Sequence, residues 1–289
     1  MKIRIKDILN KKTKEQITML TCYDYSFAKI LDESGIDIIL VGDSLANVVL
    51  GMDETRNLSV TEMLNHTKAV ALGVEKALLV ADMPYNSYQK NPDKCVDYAK
   101  QFIELGADAV KVEWFAAQTN KSSQKKDCFY VVKKLLKNKI PVMGHIGLTP
   151  QTAHLLGGYK VQGKNEDSAR NLLNQSKTLE KLGVFSIVLE CIPYQLSNII
   201  TKQLKIPTIG IGAGNYCDGQ VLVLYDLLGL YNKKRPKFVK VYRDFFCETR
   251  KAAGEFVKDV KTKKFPSKEE SFSLTPEQNN FLKDLDNLG

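Results

Sequence analysis

Five short apolar runs in this chain each end on an acidic or imidazole side chain, and few folds accommodate that repetition. They are Ile38–Asp43, Leu78–Asp82, Ala109–Glu113, Pro141–His145 and Ser186–Glu190. Near-continuous apolar composition over so few residues marks strands buried on both faces, as in parallel sheets covered by helices. A carboxylate at the end of such a strand is costly to bury alone. Its recurrence in strand after strand calls for a shared partner, and a divalent cation meets that need.

A weak internal repeat points the same way. Glu33–Asp43, Glu104–Glu113 and Lys181–Glu190 each read as a helix end, a glycine, a short apolar strand and an acid, and a further copy runs from Gly73 to Asp82. Glycine accepts the left-handed conformation that ends many helices. Ile17–Leu20, Pro207–Gly212 and Gln220–Leu224 complete a set of eight strand candidates. Helices are expected over Tyr25–Ser34, Thr61–Leu72, Asp93–Leu105, Lys125–Lys137, Ser168–Leu182 and Tyr194–Leu204.

Such alternation predicts βαβ units and a parallel sheet. Eight of them within 289 residues predict an α/β fold of the (β/α)8 TIM-barrel type in a single domain. A doubly wound open sheet would gather functional residues at one switch point, whereas here they close strands spread along the chain. The barrel, with an N-terminal cap and C-terminal helices, is expected over residues 1–262, and the clearest of those helices is Arg243–Lys261. The segment before Ile17 reads as a lid or an extra helix. Residues 263–289, with Pro266 and Pro276, read as a polar tail carrying a short helix over Pro276–Leu288.

Composition excludes several classes. No apolar run approaches the roughly 18 residues of a membrane span, and Met1–Asp7 lacks a signal-peptide core, so a cytoplasmic protein is expected. The six cysteines form no CxxC pair, which argues for free thiols rather than zinc or disulfides. The net charge of +9 owes much to lysine-rich stretches such as Lys121–Lys139 and Lys233–Lys240. No nucleic-acid motif accompanies them, so they read as solvated surface.

Strand alternation places Lys111 and Glu113 inside the barrel and turns Val110 and Val112 toward the helices. Active sites of such barrels lie at the C-terminal mouth. There Lys111 could form a Schiff base, bind a substrate carboxylate or pair with Glu113. Asp43, Asp82 and Glu113 close successive strands roughly 5 Å apart, so their carboxylates can converge on one ion, and all-oxygen ligation favours magnesium or manganese. Any one of them alone would read as a helix cap. His145 and Glu190 are both candidate general bases. His66 and His154 lie away from strand ends and carry no expected role. Gly210–Gly214 lacks full dinucleotide-binding spacing and reads as a tight loop after strand seven.

Together these segments resemble the ketopantoate hydroxymethyltransferase family. The resemblance is carried by Thr21–Ala28, Val41–Leu45, Ala81–Pro84, Val110–Glu113, Gly144–Gln151, Gly157–Gly163, Leu189–Pro193, Gly210–Gly214, Asp218–Gln220 and Pro236–Phe238. It implies a magnesium-dependent (β/α)8 barrel, one Mg2+ per subunit, assembled as a homo-oligomer, typically a decamer. It implies transfer of a hydroxymethyl group from 5,10-methylenetetrahydrofolate, the co-substrate, to 3-methyl-2-oxobutanoate, giving 2-dehydropantoate for pantothenate and coenzyme A synthesis. Carried onto this chain, it implies Asp43 and Asp82 as metal ligands, with Glu113 beside them or reaching through water. Asp43, Ser44, Asp82 and Lys111 would contact the oxo acid, and Glu190 would accept its proton.

Ala46, Trp114–Phe115 and the loop Gly51–Asn57 depart from the family's usual pattern. These changes bear on loop shape and folate contacts. The expected mechanism is a metal-stabilised enolate, with a related magnesium-dependent lyase or mutase barrel acting on another 2-oxo acid, or a catalytically silent assembly protein, as alternatives.

Overall fold

Eight parallel strands close into a barrel in the order β1 to β8, with β1 paired to β8. They are β1 (Ile17–Thr21), β2 (Ile38–Val41), β3 (Leu78–Asp82), β4 (Ala109–Glu113), β5 (Val142–Gly147), β6 (Ser186–Glu190), β7 (Thr208–Ile211) and β8 (Gly219–Leu222). The computed structural model describes residues 1–116, 126–231 and 235–282. Parts of both lysine-rich stretches and the expected helix start at Lys125 therefore lie outside the described residues.

The helices are α1 (Ile5–Lys11), α2 (Tyr25–Glu33), the short α3 (Leu45–Val48), α4 (Val60–Ala71), the short α5 (Tyr85–Tyr88) and α6 (Cys95–Glu104). They continue as α7 (Cys128–Lys137), α8 (Glu166–Leu182), α9 (Tyr194–Gln203), the short α10 (Leu224–Leu228) and α11 (Phe245–Lys261). Local chemistry sets several starts. Asp24 caps α2, Ser59 and Glu62 form a capping box on α4, and Asp127 caps α7. Pro92–Lys94 forms a 3-10 turn, so α6 begins at Cys95, later than the sequence pattern suggests.

The barrel is a TIM barrel whose interior is filled by alternate residues of its strands. Met19, Ile38, Leu40, Leu78, Val80, Ala109, Met143, Val188, Ile209 and Val221 belong to one buried cluster. This parity turns Asp82, Lys111, Glu113, His145 and Glu190 inward on β3 to β6. Strand β5 runs past His145 to Gly147. Gly147 has φ +99°, and a Cβ there would lie 2.2 Å from the Glu190 carbonyl oxygen, so only glycine lets β5 pass β6 this closely.

The segment before β1 is an extra helix, not a lid over the strand-end acids. Ile8 on α1 is fully buried among Ile17 of β1 and Leu78 of β3, the residues that open those strands. Lys11 Nζ lies 2.7 Å from Asp37 and Lys12 Nζ 2.7 Å from Asp218. These aspartates precede β2 and β8, so α1 closes the N-terminal end of the barrel.

Two compact units are present: Met1–Leu227 with Lys234–Lys240, and Leu228–Lys233 with Val241–Gly289. In the second, Asp244 caps α11 through the Cys247 N–H, which sets the helix start at Phe245. No residue of α11 is buried. A 3-10 turn at Gln278–Phe281 falls within the short helix expected over Pro276–Leu288, and residues 283–288 of that expectation lie outside the described residues. Among the described residues, no helix is long and apolar enough to cross a membrane.

Candidate active site

Parallel pairing sets the inward residues side by side. Asp82 is in register with Lys111, Glu113 with His145, and Gly147 with Glu190. Lys111 Nζ contacts Asp82 Oδ1, both side chains being buried. Of the three roles open to Lys111, pairing with Glu113 is therefore replaced by a pairing across the strands. Burial presses the Lys111 ammonium toward neutrality, but Asp82, Asp43 and Glu113 outweigh it and raise its pKa. Burial likewise pushes the Asp82 carboxyl up while the Lys111 charge opposes it.

Asp43 lies two residues past β2. Its backbone N–H donates to Asp82 Oδ2 at 3.0 Å, and its Oδ2 accepts from Gln151 Nε2 at 2.9 Å. Burial and then the charge of Glu113 push its carboxyl up to about 6, against the opposing pull of Lys111. Glu113 Oε2 accepts the Gln151 backbone N–H at 3.1 Å, while Oε1 is buried without a hydrogen-bond partner.

His145 stands between two acids. Nδ1 lies 3.4 Å from Glu113 Oε1 and Nε2 lies 3.2 Å from Glu190 Oε2. These are ion-pair distances without hydrogen-bond alignment, since both ring nitrogens lack a bonded partner. Burial and the Lys111 charge favour the neutral ring, but the flanking carboxylates outweigh them and raise its pKa to about 9. Glu190 is the most accessible of the group, its side chain 15% exposed against 1% for Glu113.

Ser44 is half-buried beside Asp43, and its Oγ lies 2.9 Å from Tyr23 Oη. Tyr23 also meets Thr21 Oγ1 at 2.7 Å, and Thr21 Oγ1 accepts the Leu224 N–H at 3.0 Å. The structure thus brings Asp43, Ser44, Asp82, Lys111, Glu113, His145 and Glu190 to one end of the barrel. His66 instead bonds the Tyr23 carbonyl at 2.6 Å; of the expected loop Gly210–Gly214, Gly210 and Ile211 still belong to β7, and the turn follows with positive φ at Gly212 and Gly214.

Sequence reasoning missed Tyr23, Tyr88, Gln89 and Gln151 as parts of this cluster. All four are buried. Gln151 and Tyr23 fall inside conspicuous polar segments, Gly144–Gln151 and Thr21–Ala28, which was the available signal. The Trp114–Phe115 pair also acquires a purpose. Phe115 packs edge-on against Tyr88, ring centroids 5.6 Å apart, and Trp114 packs on Phe129 at 4.8 Å.

Oxygen donors dominate the cluster. Asp43 and Asp82 are linked directly through Asp43 N–H, whereas among the described residues no group of three or more His, Cys, Asp or Glu side chains is placed to hold a metal ion. Magnesium commonly takes one or two carboxylates and completes its shell with water and substrate oxygens. A two-aspartate site with an excess of buried negative charge, including Glu113 Oε1, which has no hydrogen-bond partner, fits that donor set.

The fold is a (β/α)8 barrel, and this cluster lies at the C-terminal end of its strands, where enzymes of that architecture carry their active sites. The family model for ketopantoate hydroxymethyltransferase matches residues 2–268. The 3-methyl-2-oxobutanoate hydroxymethyltransferase of Clostridium botulinum (strain Langeland / NCTC 10281 / Type F) is 49% identical over 265 residues, spanning 91% of this chain and 93% of the relative. That of Caldicellulosiruptor saccharolyticus is 45% identical over 275 residues, spanning 94% and 99%. This chain belongs to the ketopantoate hydroxymethyltransferase family. Solved structures share the fold at low identity. A phosphonopyruvate hydrolase complex with oxalate and Mg++ matches at TM-score 0.58 and 12% identity, over 100% of this chain and 97% of the other. A 2,3-dimethylmalate lyase matches at TM-score 0.56 and 12% identity, over 100% of both chains.

Proposed function

We propose that this chain transfers a hydroxymethyl group from 5,10-methylenetetrahydrofolate to 3-methyl-2-oxobutanoate, forming 2-dehydropantoate in pantothenate synthesis. The observation that carries the reading is the placement of Asp43, Asp82, Lys111 and Glu190 around one barrel mouth in a chain 49% identical to a relative of that name. Asp43 and Asp82 would hold a Mg2+ ion, with Glu113 reaching it through water. When bound, the cation supplies Lewis-acid stabilisation of charge developing on the keto oxygen.

The chain's own groups do the rest. Lys111, kept cationic by its carboxylate neighbours, donates charge-assisted hydrogen bonds to the substrate carboxylate. Ser44, steadied by the Tyr23 hydroxyl, adds a further donor. Glu190 accepts the proton from the carbon next to the ketone, and His145 behind it fixes the carboxylate's orientation. That carbon bonds to the methylene carried by folate, both carbon–nitrogen bonds of the methylene break, water supplies the hydroxyl oxygen, and tetrahydrofolate leaves with the proton taken up by Glu190 and one from water on its nitrogens. A cytoplasmic homo-oligomer, with a decamer as the expected size, belongs to the same proposal. The deciding experiment is an assay of purified protein with 3-methyl-2-oxobutanoate, methylenetetrahydrofolate and Mg2+. Appearance of 2-dehydropantoate supports the reading, and folate-independent cleavage of a 2-oxo acid would replace it with lyase chemistry.

A further inference from the structure

Gln151 is 1% exposed, and both ends of its side-chain amide are engaged. Nε2 donates to Asp43 Oδ2 at 2.9 Å and to the Met83 carbonyl at 3.0 Å. Oε1 accepts from Tyr88 Oη at 2.7 Å and from Gln89 Nε2 at 3.0 Å. Two acceptors at one end and two donors at the other fix the amide's direction. Turned over, it would set its oxygen against a carboxylate and a carbonyl.

The same residue reaches the other acids. Its backbone N–H donates to Glu113 Oε2 at 3.1 Å, and Tyr88 Oη accepts the Glu113 backbone N–H at 3.0 Å. Asp43 in turn donates its own N–H to Asp82 Oδ2. One residue from the segment after β5 therefore bonds the acids that follow β2 and end β4, and Asp43 carries the connection on to Asp82 at the end of β3. Burial and the nearby Glu113 charge keep the Tyr88 phenol protonated, so it remains a donor to the amide.

We propose that Gln151, seated on Tyr88, is a positioning residue that holds Asp43 ready to ligate a divalent cation and holds Glu113 back from it. The inference rests on the metal-dependent reading above. Two buried carboxylates repel, and neutral donors attached to each are what keep them in separate places without a shared proton. Without the amide, Asp43 Oδ2 loses its donor and can turn toward other partners. Groups that orient metal ligands in this way are typically worth about 10–100-fold in metal affinity.

The test is Mn2+ titrated into the metal-free full-length protein without substrates, followed by electron paramagnetic resonance. Gln151→Met should weaken Mn2+ binding by about 10–100-fold. Tyr88→Phe, which removes one hydroxyl from the frame, should shift affinity in the same direction and decides the matter if Gln151→Met fails to fold. Asp32→Asn, a buried change beside the opening of β3 at the other end of the barrel, should lower the melting temperature and leave Mn2+ affinity unchanged. Folded Gln151→Met and Tyr88→Phe proteins that both bind Mn2+ within about twofold of the parent overturn the positioning role and leave the metal reading intact. A parent protein that binds no Mn2+ overturns both.

Discussion

His145 Nε2 faces Glu190 Oε2 at 3.2 Å, while its other nitrogen faces Glu113 at 3.4 Å. An imidazole held between two carboxylates, with its pKa raised to about 9, carries its proton at neutral pH. On the proposed reading the base is therefore the more accessible carboxylate in front of it, Glu190.

Glu190→Gln should therefore slow exchange of the substrate's C3 proton by about 10²–10⁴-fold, the usual worth of general-base catalysis. Deuterium wash-in at that carbon, followed by NMR without folate, isolates the step. His145→Gln should slow it less, because the carboxylate survives. Exchange at the parental rate in Glu190→Gln, with loss in His145→Gln, would reverse the assignment.

Lys111 touches Asp82, and its pKa is raised by the surrounding acids. An amine that keeps its proton is a poor nucleophile toward a ketone. Borohydride added with 3-methyl-2-oxobutanoate should trap no adduct, as read by intact-protein mass. Lys111→Met should raise KM for the oxo acid more than it lowers kcat, since the interaction proposed for Lys111 is with the substrate carboxylate. A mass increase located on Lys111 would establish a Schiff base instead.

The barrel was legible because apolar runs, glycine stops and terminal acids recur with each βα unit, and strand parity alone turned Lys111 and Glu113 inward. Partners were harder to read. Lys111 pairs with Asp82 on β3 and not with Glu113 on its own strand, because parallel register sets Asp82 opposite Lys111. Gln151 stood inside the marked segment Gly144–Gln151, but its role was not legible because that segment is aperiodic, and its importance depends on which strand ends the closed barrel brings within reach. The fate of the first segment was equally a tertiary matter: Ile8 seals the barrel's N-terminal end, a choice that local sequence cannot make between a lid and a plug.

The linked aspartates Asp43 and Asp82 make metal dependence directly testable. Turnover should vanish after treatment with a chelator and return with Mg2+. Asp82→Asn should lower Mn2+ affinity by at least tenfold and leave the far-ultraviolet circular dichroism unchanged. Full turnover by protein shown to be metal-free by elemental analysis would remove the cation from the mechanism.

Asp32 supplies a prediction about stability and pH. It sits near the end of α2 and accepts the backbone N–H groups of Glu75, Lys76 and Ala77, the last at 2.7 Å. These donors cover the chain just before β3, where no strand partner serves them. Burial pushes the Asp32 carboxyl up, but the three N–H groups outweigh it and hold it below its ordinary 3.8. A carboxylate so held contributes stability that is full above the ordinary value and is lost as pH falls through the lowered one. Asn at this position keeps the shape but offers one acceptor oxygen, and its amide N–H faces a backbone donor. Hydrogen bonds to charged groups are worth about 1.5–3 kcal/mol, so Asp32→Asn should cost about 2–3 kcal/mol at pH 7. For a chain of this size that is a fall of roughly 4–8 °C in Tm. Denaturant unfolding at pH 7 and pH 3 checks the sign: the gap between parent and variant should narrow in acid as Asp32 takes up its proton. A gap of constant size across that range would mean that the N–H groups do not favour the ionised form.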